Sequence, residues 1–341
     1  MKLLVTGGCG FIGTNFIKYL INVNQNIDIL NVDKLTYASN RKSLDNILSK
    51  NNLKYELNCA DISNYSEIFS IIKSFEPTHL INFAAESHVD KSIESHNEFI
   101  RTNIVGTYNL LSASENYINF GGKLSKFVHV STDEVFGSLN ESGAPFDENA
   151  RYDPSSPYSA SKASSDHLVK SWYKTFNFPS IITNCSNNYG PYQFPEKLIP
   201  LMIINCLSDK KLPIYGNGEN IRDWLFVEDH CSALFTVLNH GKIGESYNIG
   251  GNNELRNIDI VSKICDILDK IKPKKNGKKY SELIEFVSDR PGHDYRYAIN
   301  SEKIKTDLDW KPVQDFERGI FQTIEWYINN SKWWKDLEND S

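Results

Sequence analysis

The chain has 341 residues, 40% hydrophobic and 12% aromatic, enough for a large core and, by length, for roughly two domains. Its 37 basic and 43 acidic residues are mixed, leaving a net charge of -6 and no basic field, so a nucleic-acid partner is not expected; the one dense basic run, 270–279, reads as a solvated loop. Cys9, Cys59, Cys185, Cys206, Cys231 and Cys265 lie far apart, with no C-x-x-C pair and no histidine at ligand spacing, so free thiols and no metal site are expected.

From Met1-Lys2 the chain enters a short apolar stretch broken by Gly7-Gly8, too short for a signal peptide or a membrane span. A cytoplasmic protein with no membrane partner is the expectation. Leu3-Leu4-Val5 reads as a first strand, followed by Thr6-Gly7-Gly8-Cys9-Gly10-Phe11-Ile12-Gly13 and a helical pattern carrying Phe16, Ile17 and Leu20. Gly8, Gly10 and Gly13 satisfy G-x-G-x-x-G, and Gly7, Gly10 and Gly13 satisfy the related G-x-x-G-x-x-G. Glycines here let the backbone turn tightly and approach a pyrophosphate, whose charge meets the free N–H groups of the helix start. Residues 27–32 form a second strand closed by Asp33, where a carboxylate can accept ribose hydroxyls and repel a 2′-phosphate. NAD, rather than NADP, is the expected cofactor.

A third strand over 55–59 is followed by Asp61-Ile62, within reach of an adenine or, equally well, a helix cap before Ser63. Ile68, Ile71, Ile72 and Phe75 share one helix face, and further strands fall at 80–83, 127–130 and 181–182. This alternation predicts an α/β protein with a Rossmann-type doubly wound parallel sheet. The strand at 127–130 ends in Ser131-Thr132-Asp133-Glu134, an acid pair that by itself reads as a solvated turn. Tyr158-Ser-Ala-Ser-Lys162 opens a helix after Pro154 and Pro157; the i, i+4 spacing sets the lysine near the phenol, where a cation favours the phenolate of a group with an ordinary pKa of about 10. Downstream of a dinucleotide fold, that pair suggests hydride transfer at an alcohol.

The second half carries Gly and Pro punctuation between helical patterns at about 195–208, 228–240, 257–270 and 315–330. A smaller, discontinuous C-terminal lobe is expected, packed on the sheet with a cleft between. Residues 1–188 plus about 226–250 would form the dinucleotide-binding domain, and about 189–225 with 251–341 the second lobe.

TGGCGFIG, AAESHVDKS, STDEVFGSL, PYSASKA, NYGPYQFPEKLIP, RDWLFVEDH and DRPGHDYRYAIN together resemble the extended short-chain dehydrogenase/reductases, and among them the nucleotide-sugar 4,6-dehydratases. The resemblance runs in order from residue 2 to about residue 325. Its discriminating element is the Thr-Asp-Glu triplet, since 4-epimerases and decarboxylases on the same fold do not need the acid pair. The resemblance implies oxidation at C4 of a sugar nucleotide, loss of water across C5 and C6, and return of the hydride to C6. Thr132, Asp133, Glu134, Tyr158 and Lys162 would be catalytic, with Asp133 the acid, Glu134 the base, Tyr158 the base for the C4 hydroxyl and Thr132 a hydrogen bond to the C4 oxygen.

Around NAD the same resemblance places Gly7, Gly10, Phe11, Ile12, Gly13, Asp33, Lys34, Leu35, Thr36, Asp61, Ile62, Ala84, Ala85, Glu86, Ser87, Thr102, Tyr158, Lys162 and Asn188. Around the nucleoside-diphosphate sugar it places His88, Thr132, Asn187, Lys197, Leu198, Pro213, Ile214, Tyr215, Arg222, Asn257, Asp289, Arg290, Pro291, Gly292 and His293. Guanidinium forks at Arg222 and Arg290 suit a diphosphate; without the resemblance they read as surface partners of Asp223 and Asp289. The implied substrate is dTDP-glucose, with UDP-glucose the alternative, and a UDP-sugar 4-epimerase or a non-catalytic NAD-binding regulator further off. A homodimer through segments near 92–117 and 158–177 is also implied. Cys9, Thr14, Lys91, Phe136 and Phe226 depart from the usual family residues, and Tyr295 and Asn300 alter the last motif, without removing a proposed catalytic group.

Overall fold

The computed structural model describes residues 1–23, 26–48 and 54–340. Six strands come first: β1 (Lys2–Thr6), β2 (Asp28–Asp33), β3 (Tyr55–Cys59), β4 (His79–Asn82), β5 (Lys126–Thr132) and β6 (Ser180–Cys185). Six more follow, β7 (Asn187–Tyr189), β8 (Leu212–Tyr215), β9 (Ile221–Phe226), β10 (Ser246–Ile249), β11 (Glu254–Arg256) and β12 (Ile284–Val287). The main sheet has the order β10-β6-β5-β4-β1-β2-β3, with every neighbouring pair parallel. All six strands read from the sequence are in it. The winding reverses between β1 and β4, which opens a crevice at the carboxyl ends of those strands.

Period-2 alternation divides the strand residues between two faces. Leu3, Val5, Ile29, Ile81, Val128 and Ile181 face one core, completed by Phe16, Ile17 and Leu20 of the helix Phe11–Asn22 and by Leu234 and Val237 of the helix Val227–His240. Leu4, Leu30, Leu80, Phe127 and Ile182 face the other, against Ile68, Ile72, Leu110, Leu111 and Val169. Full burial of one such aliphatic side chain stabilises by about 1.5–3 kcal/mol, so sheets covered on both faces read as near-continuous apolar runs.

A third core joins Tyr189, Ile199, Met202, Ile214, Trp224 and Phe226 to Ile260, Ile264, Leu268, Ile320, Ile324 and Tyr327. It is carried by the helices Leu198–Leu207, Asn257–Ile271 and Phe316–Asn329, each within a few residues of a predicted helix. Two small sheets, β11-β9-β7 and β12-β8, belong to this region. Ile304 and Trp310 return to the first core. The sequence gives no sign of the π-helical turn Ile100–Gly106, inserted between helices Asn97–Phe99 and Thr107–Asn119.

Candidate active site

β1 delivers the chain to Gly7, at φ +73°, where a Cβ would lie 2.6 Å from the Ala84 nitrogen at the exit of β4. At Gly13 a Cβ would run into the Gly7 carbonyl, so the loop and the following helix can close up only as glycine. Gly10 meets nothing nearer than that carbonyl at 3.3 Å and keeps an open face. Asp33, at the end of β2, accepts the Cys9 amide at 2.9 Å and the Leu35 amide at 2.8 Å. Burial raises its pKa and these two bonds oppose the rise. Leu35, at φ 56°, turns its side chain onto the first core.

One cavity runs along these carboxyl ends from Asp33 and Asp61, past the glycine loop, to Tyr158 and Lys162. It takes in every proposed cofactor residue except Leu35. Asp61 faces it and accepts the Ser63 amide at 2.8 Å in a local turn; the following helix, Tyr65–Phe75, is capped at Asn64, so Asp61 is not its cap. Asn187 Oδ1 and Gln193 Oε1 line the cavity, buried and without a protein partner, which leaves hydrogen-bonding capacity for a polar ligand. The glycine cradle, the carboxylate at Asp33 and these free polar atoms fit a dinucleotide.

β5 brings the acid pair to the inner end of the same cavity. Thr132 Oγ1 accepts the Glu134 amide at 3.3 Å and starts a 3₁₀ turn, Asp133–Phe136, which Gly137 ends at φ +87°. The helix Pro157–Phe176 is started by a reciprocal cap: Ser159 donates its amide to Ser156 Oγ at 3.1 Å, and Ser156 donates its amide to Ser159 Oγ at 3.0 Å. Tyr158 therefore sits in the first helical turn, with the Phe99 ring edge-on at 6.4 Å between centroids.

The two carboxyls stand in unlike surroundings. Asp133 is buried, its Oδ1 accepts the Thr132 hydroxyl at 3.3 Å, and its Oδ2 has no partner. Burial, then the charges of Glu134 and Asp223, push its pKa well above the usual carboxylate range. Glu134 is also raised by burial, but Arg222, Lys197 and Arg290 all pull it back. Burial and two neighbouring acids hold Asp133 well above the carboxylate range, whereas three cations oppose the rise at Glu134.

Tyr158 lines the cavity with Lys162, as their i, i+4 spacing predicts. Burial, then Glu134 and Cys185, hold its phenol well above the usual 10, with the Thr132 hydroxyl working against them. Lys162 donates Nζ to the Val130 carbonyl at 2.9 Å. Burial lowers the lysine's own pKa and Asp166 raises it.

A second cavity meets the first at Ser87, Glu134, Asn187, Asn188, Gln193, Glu196 and Lys197, so Glu134 stands on the seam. It is lined by His88, Leu198, Pro213, Ile214, Tyr215, Arg222, Asn257, Arg290, Gly292 and His293, while Thr132 lines the first. Asp289 and Pro291 line neither; Asp289 contacts His293 Nδ1 at 2.7 Å. Arg222 donates to the carbonyls of Ile221 (2.7 Å), Asp294 (2.9 Å) and Tyr295 (3.2 Å), and its guanidinium lies 4.3 Å from the Tyr297 ring centroid. Asp223 accepts the Gly251 and Asn253 amides, and Arg290 pairs with Asp90 at 2.7 Å, so neither arginine takes the neighbour that a sequence reading offers it. Trp224, Asp294 and Tyr297 also line this cavity; each lies inside a family-like motif, which was the available signal.

A doubly wound parallel sheet with a glycine cradle, a Tyr-x-x-x-Lys helix and an acid pair at one cavity defines a dinucleotide-dependent enzyme of the extended short-chain dehydrogenase/reductase type. The chain belongs to the GDP-mannose 4,6 dehydratase family, whose model matches residues 4–323. It is 54% identical to dTDP-glucose 4,6-dehydratase 1 of Escherichia coli over 345 residues, spanning 98% of this chain and 94% of that protein. Among solved structures, the dTDP-glucose 4,6-dehydratase of Bacillus anthracis in complex with NAD superposes with a TM-score of 0.86 at 46% identity, covering 99% of each chain. That of Streptomyces venezuelae, also with NAD bound, gives 0.90 at 37% identity over 99% of this chain and 100% of the other.

Proposed function

We propose that the chain converts dTDP-glucose to dTDP-4-keto-6-deoxyglucose and water with NAD as its cofactor. The observation that carries this reading is the unequal setting of Asp133 and Glu134 at the junction of the two cavities. NAD, when bound, supplies a hydride acceptor for C4 and gives the hydride back at C6. Tyr158 takes the proton of the C4 hydroxyl, Thr132 holds the C4 oxygen, and Lys162 contributes a buried positive charge. Ionised Glu134 removes the C5 proton, made acidic by the new C4 carbonyl. Neutral Asp133 gives its proton to the C6 hydroxyl, which leaves as water. Glu134 then returns a proton to C5 as C6 is reduced, so the carbon skeleton has lost one water and undergone no net oxidation.

The residues lining the first cavity, from the glycine loop to Asn188, are read as the NAD site. Those lining the second, with Arg222, Arg290 and Lys197 facing the diphosphate, are read as the sugar-nucleotide site. Residues 1–188 plus about 226–250 then form the NAD-binding domain, and about 189–225 with 251–341 the substrate lobe, with Ile304 and Trp310 reaching back to the sheet. A homodimer is supported by Ile100, Tyr108 and Phe176, each about half exposed on the helical segments 97–119 and 157–176. A cytoplasmic location is supported by six unpaired cysteines. Among the described residues, no helix is long and apolar enough to cross a membrane.

The test offers purified protein dTDP-glucose and UDP-glucose in separate tubes without added NAD. A product lighter by one water from dTDP-glucose supports the reading. Turnover of UDP-glucose alone would move the substrate to uridine nucleotides, and an isomer of unchanged mass would make the protein an epimerase.

A further inference from the structure

Behind the active site lies a buried polar cluster with no part in the reaction as derived. His129 on β5 and Asp166 on the helix Pro157–Phe176 are both fully buried. Asp166 Oδ2 accepts the hydroxyls of Ser131 and Tyr152, each at 2.9 Å, and the Asn184 amide at 3.2 Å. Lys162 is one turn earlier on the same helix, so lysine and carboxylate share a face.

The hydrogen-bond chain assigns the histidine tautomer. Thr6 Oγ1 donates to Asn82 Oδ1 at 2.6 Å, which leaves the Asn82 amide nitrogen to donate to His129 Nδ1 at 3.2 Å. His129 therefore carries its proton on Nε2, which faces Asp166 Oδ1 at 3.4 Å. Burial, then the Lys162 charge, depress this imidazole to about 4, so it is neutral at ordinary pH. Lys162 Nζ, 3.5 Å from the same nitrogen, meets an N–H there and gains no acceptor.

We propose that Asp166 is a positioning residue for the reaction, the counter-ion that keeps buried Lys162 in its ammonium form beside Tyr158. Three titratable groups act around that ammonium. His129 on β5 is neutral, Cys185 on β6 is pushed up to about 12 and stays a thiol, and Asp166 is held ionised. Asp166 is thus the group whose charge opposes the burial of Lys162. It also faces Lys170 one turn further on, which donates to the Tyr152 hydroxyl at 3.4 Å and is the less buried of the two lysines. The inference rests on the reading of Lys162 as a catalytic group.

The test follows the side-chain carbon resonance of Lys162 through a pH titration, assigned by its loss in Lys162→Met. In Asp166→Asn the midpoint should fall by about one pH unit, because an opposite charge has been removed. The alkaline limb of kcat should move the same way, with KM for the sugar nucleotide little changed. A midpoint that does not move overturns the inference. Should Asp166→Asn not fold, Lys162→Met answers from the other side. Its Tm deficit against the native chain should grow as pH rises and Asp166 ionises without its partner, and a deficit independent of pH overturns the pairing. Native protein that fails to turn over dTDP-glucose would count against the functional reading instead, whatever the lysine does.

Discussion

At the scale of single residues, the account stands on two neighbouring carboxyls in unlike surroundings. Glu134→Gln keeps shape and hydrogen-bonding reach but removes the base, so turnover should fall by about 10²–10⁴-fold. Oxidation at C4 should survive, seen as 340 nm absorbance that rises on mixing with substrate and does not decay. An original rate of product formation would show that Glu134 is not the base. Asp133→Asn should also abolish elimination, with an opposite effect on the fold. The folded-state pKa of Asp133 lies above its unfolded value, so the neutral carboxyl favours the fold at low pH and that favour is lost as pH rises through the folded value. An amide escapes the loss, and at about pH 8 the variant should be more stable by about 0.5–2 kcal/mol in chemical denaturation. A variant less stable than the native chain at that pH would mean that Asp133 is satisfied as an anion. The acid pair was legible in the sequence only in company with the glycine loop and Tyr158. Its cations were not, because Arg222, Lys197 and Arg290 reach Glu134 from separate segments that only the fold brings together.

At the scale of elements, the reactive groups are aimed by ends and turns. Ser156 caps the helix whose first turn carries Tyr158, so Ser156→Ala should cost about 1 kcal/mol and lower Tm by about 2 °C. Its kcat should fall as well, because the loosened turn is the one that holds the phenol. An unchanged Tm would mean that Pro157 alone starts the helix. Gly7→Ala puts a methyl group against the Ala84 backbone at a positive φ, so NAD binding measured by calorimetry should be lost. Retained affinity would place the dinucleotide elsewhere. The strands and the long helices were readable because their apolar periods are strong. The π-helical turn over 100–106 was not, since it buries Thr102, Asn103 and Gly106 and exposes Ile100 and Val105, so no apolar period marks it. Arg222 and Arg290 were readable as residue types, whereas their anchoring on the carbonyls of 221, 294 and 295 and on Asp90 depends on chain crossings with no local signature.

At the scale of the whole molecule, two cavities share a wall, and the proposed chemistry sits in it. The sheet supplies one cavity at its point of reversal and the third core supplies the other, so oxidation and elimination can act on adjacent carbons of one bound sugar. If the exposed face of Ile100, Tyr108 and Phe176 pairs with a second copy, Tyr108→Glu should shift the sedimentation mass from dimer to monomer. A native chain that sediments as a monomer would remove that assembly. The central claim is that one active site moves a hydride within one sugar, from C4 to C6, while water is lost. Its most direct measurement is turnover of dTDP-glucose carrying deuterium at C4, read by NMR and mass. The account predicts a product lighter by one water with the deuterium at C6; an epimer that keeps its mass, or a product whose deuterium has gone to solvent, would contradict it.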